Sequence, residues 1–182
     1  MFRSFRKWLI NDEATAAVEA GFMFPLLMLV LCGTIDIGVA LVINQKVSNA
    51  TQTVSDLLTR EIQVTPSDVS DAIIGGRMAL MPYPNAPYGV DIASIKFIGT
   101  TKVPTVQWRR TENMSPNLDV TTRTAGLGDQ NEGVLAVTVR YVFTPLFTSY
   151  FTNPIVMNLE SFARGRKAAT GYIPCSTGGS VC

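Results

Sequence analysis

One stretch constrains this chain before any other. From Ala20 to Ile43 the residues are apolar or small, and Asp36 is the sole charge among these 24. As a helix they reach roughly 36 Å, more than the hydrocarbon thickness of a bilayer. A spanning helix over residues 15–43 is the reading that follows. Upstream, Met1 to Lys7 holds Arg3, Arg6 and Lys7 without an acid, the flank expected on a cytoplasmic side. That orientation puts the amino terminus in the cytoplasm and residues 44–182 outside it. The formal net charge of +1 supplies no general attraction to nucleic acid or anionic lipid.

Cleavable signals compete with a permanent span. A secretory signal has an apolar core of about 7–15 residues before a small-x-small site, and here the run is longer and continues into a helix-forming segment. A lipoprotein signal would use Cys32, but Leu31 is bulky where a small residue is needed, so Cys32 reads as a buried thiol acting as a small hydrophobe. A third kind cuts before the apolar run. Residues 1–14 form a short basic leader ending in the small Ala14, and Glu19 is fifth after the break, at the head of the apolar helix.

This arrangement resembles a type IV prepilin. More narrowly, "AAVEAGFMFPLLMLVLCGTIDIG" resembles the amino-terminal signature of the TadE-like family of tight-adherence (Tad, or Flp) pilus systems. Ala16, Ala17, Val18, Glu19, Pro25, Gly33, Asp36 and Gly38 carry the likeness. Ala14 stands where the family commonly has Gly, and Ala20 where Phe follows the glutamate. The resemblance implies processing by a prepilin peptidase between Ala14 and Thr15, other pilins and pilus assembly proteins as partners, and a place in the inner membrane with the folded domain periplasmic, or in an extracellular pilus. It also implies that Glu19 pairs with the new amino group at Thr15, seating one subunit against the next. Opposite charges near lipid lower each other's cost. The bland alternative leaves Glu19 solvated at the cytoplasmic interface.

Asp36 has two readings as well. With Gly33 and Gly38 close by, small residues let backbones approach and make a helix-packing face; or Asp36 reaches the outer interface and the glycines are incidental. Pro25 removes one helical hydrogen bond and can kink the span, which membrane helices tolerate.

After the span, Ile43, Val47, Ala50, Val54 and Leu57 step by four, three, four and three, one face of a helix continuing to about Ile62. Core packing and a coiled-coil partner could both use this stripe. Thr65, Pro66 and Asp68 form a helix start, the helix running to about Leu80, and "MPYPNAPYG" ends it. From Val90 the period becomes two. Ala93, Ile95 and Phe97 share a face, as do Val106 and Trp108; Leu135, Val137, Val139, Tyr141 and Phe143 alternate with Thr138 and Arg140; Ile155, Met157 and Leu159 alternate with Asn158 and Glu160. Four half-buried strands predict an antiparallel sheet with one wet face. The fold class expected is α+β: a transmembrane helix continuing into a long amphipathic helix packed on a small sheet, pilin-like. The polar segment Thr111 to Gly133 reads as a partner-contact loop or a disordered tip.

Cys175 and Cys182 flank a Gly-rich tail in an oxidising compartment. A disulfide local to the tail is the first reading, a bond to another subunit the second. The chain has no histidine, which excludes Ser-His-Asp and Cys-His catalysis and the commonest zinc ligand. No phosphate-binding loop is present either. The expectation is a non-enzymatic protein without a cofactor or metal. Two classes of function remain, a minor pilin or pseudopilin and a permanently anchored binding or scaffold module, and a cut after Ala14 separates them.

Overall fold

The computed structural model describes residues 12–84, 88–147, 149 and 153–182. The basic flank at Met1 to Lys7 and residues 85–87 of the proline-rich connector lie outside the described residues. In chain order the elements are α1 (Asp12–Thr59), α2 (Pro66–Ala79), β1 (Tyr88–Ile98), β2 (Val103–Glu112), α3 (Val120–Thr124), β3 (Gly133–Phe143) and β4 (Ile155–Ala163). The α+β class is the one expected. The strands form one antiparallel sheet in the order β2-β1-β3-β4.

The 48 residues of α1 make a rod about 72 Å long. It lives in two environments. From Ala16 to Leu31 every side chain is exposed, and the first buried one is Asp36. Beyond it Ile43, Val47, Ala50, Val54 and Leu58 are buried against the sheet. The stripe departs from expectation at its end, where Leu58 enters the core and Leu57 stays exposed beside Gly75. Steps of four at 54–58 keep the stripe on the face that meets the sheet. The helix also stops at Thr59, about a turn before Ile62.

Start signals of α2 act as their chemistry predicts. The Thr65 hydroxyl accepts from the Asp68 amide at 3.2 Å, and the Asp68 carboxylate accepts from the Thr65 amide at 2.8 Å. This reciprocal box satisfies two amide donors at the helix end. Gly76 lets α2 lie directly on α1: a Cβ there would sit 2.6 Å from a Val54 methyl and 2.6 Å from the Tyr88 hydroxyl.

One correction concerns β2. A bulge opposite Ser94/Ile95 leaves Ser94 facing Trp108 and Ile95 facing Val106, so Gln107 is extra and the alternation reverses. Trp108 therefore points into the main core with Ile92 and Val137, and Val106 packs on the opposite face with Ala93, Ile95, Ala136 and Val120. An inserted residue flips every side chain beyond it.

That opposite face is not wet, a second correction. The segment after β2 folds back over it with α3, placing Val120 on Ala93, Ile95 and Ala136 and Gly128 against the Phe97 ring, where a Cβ would come 2.2 Å from Cε2. Polar bonds hold the cover down. The Asn117 amide donates to the buried Asp91 carboxylate at 2.8 Å, its side chain donates to Glu160 at 2.8 Å, and Arg123 pairs with Glu160 at 2.9 Å. Of the segment Thr111 to Gly133, the two ends belong to β2 and β3 and residues 113–132 are a lid over β1 and β3, neither a free loop nor a loose tip.

Burial pushes the Asp91 carboxyl above its usual range, although the Asn117 amide and Arg109 pull it down. An acid so raised favours folding most when neutral. Its contribution is full below the ordinary carboxylate pKa of about 4 and is lost as pH rises through the raised value. Asp91→Asn should therefore gain in melting temperature relative to wild type between pH 4 and pH 7. A constant difference across that range would show that Asp91 titrates alike in the folded and unfolded chain.

The carboxy-terminal tail completes the core. The Ile173 carbonyl accepts from the Trp108 indole at 2.8 Å and from the Ser94 hydroxyl at 3.0 Å. Cys175 bridges to Val64, and Val181 to Arg109. Cys175 and Cys182 are disulfide-bonded to each other, and both are buried. The staple holds part of the domain's core and is not confined to a loose tail.

Candidate functional site

The residues singled out for function fall on α1, and the structure sorts them into two groups. Ala14 and Thr15 lie within the first turn of α1, and the exposed Glu19 is one turn further on. The helix runs unbroken through Pro25; proline has no N–H, so the Gly21 carbonyl lacks its helical donor. Around Pro25, Phe22, Phe24, Leu26, Leu27 and Leu29 are all exposed. Leucine and phenylalanine on every side of a helix mark a surface suited to lipid or to other apolar helices, not to water. From Ala16 to Ile35 no side chain is buried, and 20 residues rise roughly 30 Å, the hydrocarbon thickness.

Asp36 ends this stretch and belongs to the second group. Only 4% exposed, its carboxylate accepts from the Leu146 amide at 3.0 Å and from the Phe147 amide at 3.0 Å. A carboxylate bonded to amide donors is strongly held. The acid inside the apolar run therefore clamps the connection after β3 onto the helix. Neither sequence reading of Asp36 included this partner, which lies 110 residues away. Gly33 and Gly38 do not share in it: a Cβ at either would meet nothing within 4 Å. Cys32 is half-buried with a free thiol.

Asp36 and its neighbours Val39, Ala40 and Ile43 face the protein's own loop and sheet, while Ile37, Leu41 and Val42 on the other side remain exposed. The apolar run is thus shared between a free rod and a packed collar. Among the described residues no three His, Cys, Asp or Glu side chains gather as metal ligands.

These features define a class: an α+β domain carried on one amino-terminal helix long and apolar enough to cross a membrane. A family model described as TadE-like protein matches residues 14–56, nearly the whole of α1, in agreement with the resemblance read from Ala16 to Gly38. No curated protein and no solved structure matches the chain. The match takes in Glu19, Asp36 and the core stripe as far as Val54, and leaves the sheet outside it.

Proposed function

We propose that this protein is a minor pilin or pseudopilin, a non-enzymatic structural or priming subunit of a Tad pilus machine. The observation that carries the reading is the coincidence of the TadE-like match at residues 14–56 with a helix whose stretch from Ala20 to Leu31 is uncharged and exposed on all sides. Such a rod is stable in a bilayer, and equally among the helices of other pilins, which is what a subunit passing from membrane to filament requires. In this reading residues 1–14 are a cytoplasmic leader, the span begins at Thr15, and the domain is periplasmic. From Asp36 to Ile43 the helix crosses the interface with one face already covered by its own sheet.

Processing tests the reading directly. Intact mass or amino-terminal sequencing of membrane-extracted protein should show loss of Met1 to Ala14 in cells with an active prepilin peptidase. A chain still starting at Met1 would favour a permanent anchor.

Glu19 makes a charge-specific claim. Glu19→Gln keeps size and hydrogen bonding but removes the anion that would pair with the Thr15 amine of a neighbour. Pilus number should fall while the protein still inserts in membranes. Unchanged pili would leave Glu19 a solvated marker of the interface.

A further inference from the structure

The end of the domain nearest the free rod is built unlike the opposite end. From Tyr141 to Met157 the sequence has no charged residue. In the strand ends and connection of this region Leu146 is 70% exposed, and Phe147, Ile155 and Val156 are exposed as well. At the far end of the sheet the surface carries ion pairs, Lys102 with Asp129, Arg164 with Glu132 and Arg166 with Asp56. Apolar side chains left in water cost free energy roughly in proportion to their area; Ile98 and Val103 are exposed at the far end too, but there they stand among charges, whereas a patch within a charge-free segment marks a contact surface.

The Asp36 clamp fixes where that end lies. It holds Leu146 and Phe147 beside the point at which α1 becomes exposed all round. Between helix and connection runs an apolar cleft of about 470 Å³, bordered by Ile37 and Leu41 on one side and Phe143, Pro145 and Ile155 on the other. The exposed apolar belt of the helix therefore continues, at the same level, onto the β3–β4 connection.

We infer that the β3–β4 end of the domain is itself a membrane-contact surface: Leu146 and Phe147 dip into the bilayer beside α1, and acyl chains of that bilayer fill the cleft. The inference rests on the membrane reading of α1 and adds a second lipid contact, which sets the tilt of the domain. Lipid is the occupant while the protein is held in the membrane, because the patch and cleft lie beside the end of the span and at its level, so the bilayer that surrounds the helix reaches them too. An aromatic and a leucine at a loop tip beside a span suit the interfacial region of a bilayer.

Spin labels on the full-length protein in phosphatidylcholine–phosphatidylglycerol vesicles test it. In a Cys32→Ser background, with the Cys175–Cys182 disulfide left oxidised, single variants Leu27→Cys, Phe147→Cys and Ile98→Cys report the span, the connection and the far end. Collision with oxygen, which concentrates in lipid, is compared with collision with a water-soluble nickel chelate. The expected result is an oxygen-to-nickel ratio at 147 severalfold above that at 98 and approaching that at 27. A lipid signal at 27 with a water signal at 147 would overturn this inference and leave the span standing. A water signal at 27 would remove the span and the inference together. Shielding of 147 from both reagents would mean that another chain covers it, which also overturns the inference.

Discussion

Val54→Asp is expected to abolish the cooperative melt of the domain while leaving the membrane helix intact. Val54 is fully buried, at the point where α1, Gly76 of α2 and Tyr88 of β1 meet. The approach is too close for water to follow a carboxylate in, and Arg77, whose guanidinium lies 5.9 Å from the Tyr88 ring, is already paired with Glu112. An uncompensated buried charge costs several kcal/mol, comparable with a typical domain stability of about 5–15 kcal/mol. In detergent the variant should keep helical far-ultraviolet circular dichroism, because the rod needs no tertiary contacts, and lose its near-ultraviolet signal as Trp108 becomes mobile. Val54→Ala serves as control: it removes methyl groups without adding charge and should cost about 2 kcal/mol with the melt still cooperative. A wild-type melt for Val54→Asp would mean that the stripe is not the core of the monomer.

Asp36→Ala is the second large effect. It strips the Leu146 and Phe147 amides of their acceptor, a carboxylate only 4% exposed. Hydrogen bonds to a charged acceptor contribute about 1.5–3 kcal/mol, so a local loss of about 3 kcal/mol is expected, equivalent to roughly a 100-fold faster exchange of those two amides. Asp36→Asn keeps an acceptor and should show a smaller increase. Exchange measured at residues 146 and 147 separates this local release from global unfolding, which would speed the amides of β1 equally. Protection unchanged in Asp36→Ala would show that the loop is held by its apolar contacts and that the carboxylate matters elsewhere.

Local rules made much of this protein legible. A run of 24 residues with one charge forms the rod whatever the rest of the chain does, since helix propensity and apolar surface are properties of the segment. The capping box at Thr65 and Asp68 lies within four consecutive residues, so its chemistry was readable without knowing the fold. Alternation in β3 likewise gave the face that meets the helices, Leu135 to Phe143, because no bulge interrupts that strand. The TadE-like signature is equally local, and the family match at residues 14–56 agrees with it.

Tertiary structure decided what depends on residues distant in sequence. The bulge at Gln107 reverses Val106 against Trp108 because register is settled between two strands, and one strand read alone cannot report it. The polar segment 113–132 covers the second face of the sheet since Val120, Gly128 and Asn117 find Ala93, Phe97 and Asp91 only after the sheet exists. Its own sequence has no periodicity to announce that role. Leu58 takes the core position expected of Leu57 because the direction of the sheet, not the helix, chooses which of two adjacent leucines is covered. Asp36 is the clearest case. The sequence by itself determined that a carboxylate sits in an apolar helix and must be satisfied there, since leaving a charge uncompensated in a poor solvent is costly; the amides that satisfy it, at Leu146 and Phe147, belong to the connection that follows β3 and are brought to it only by packing the helix along the sheet.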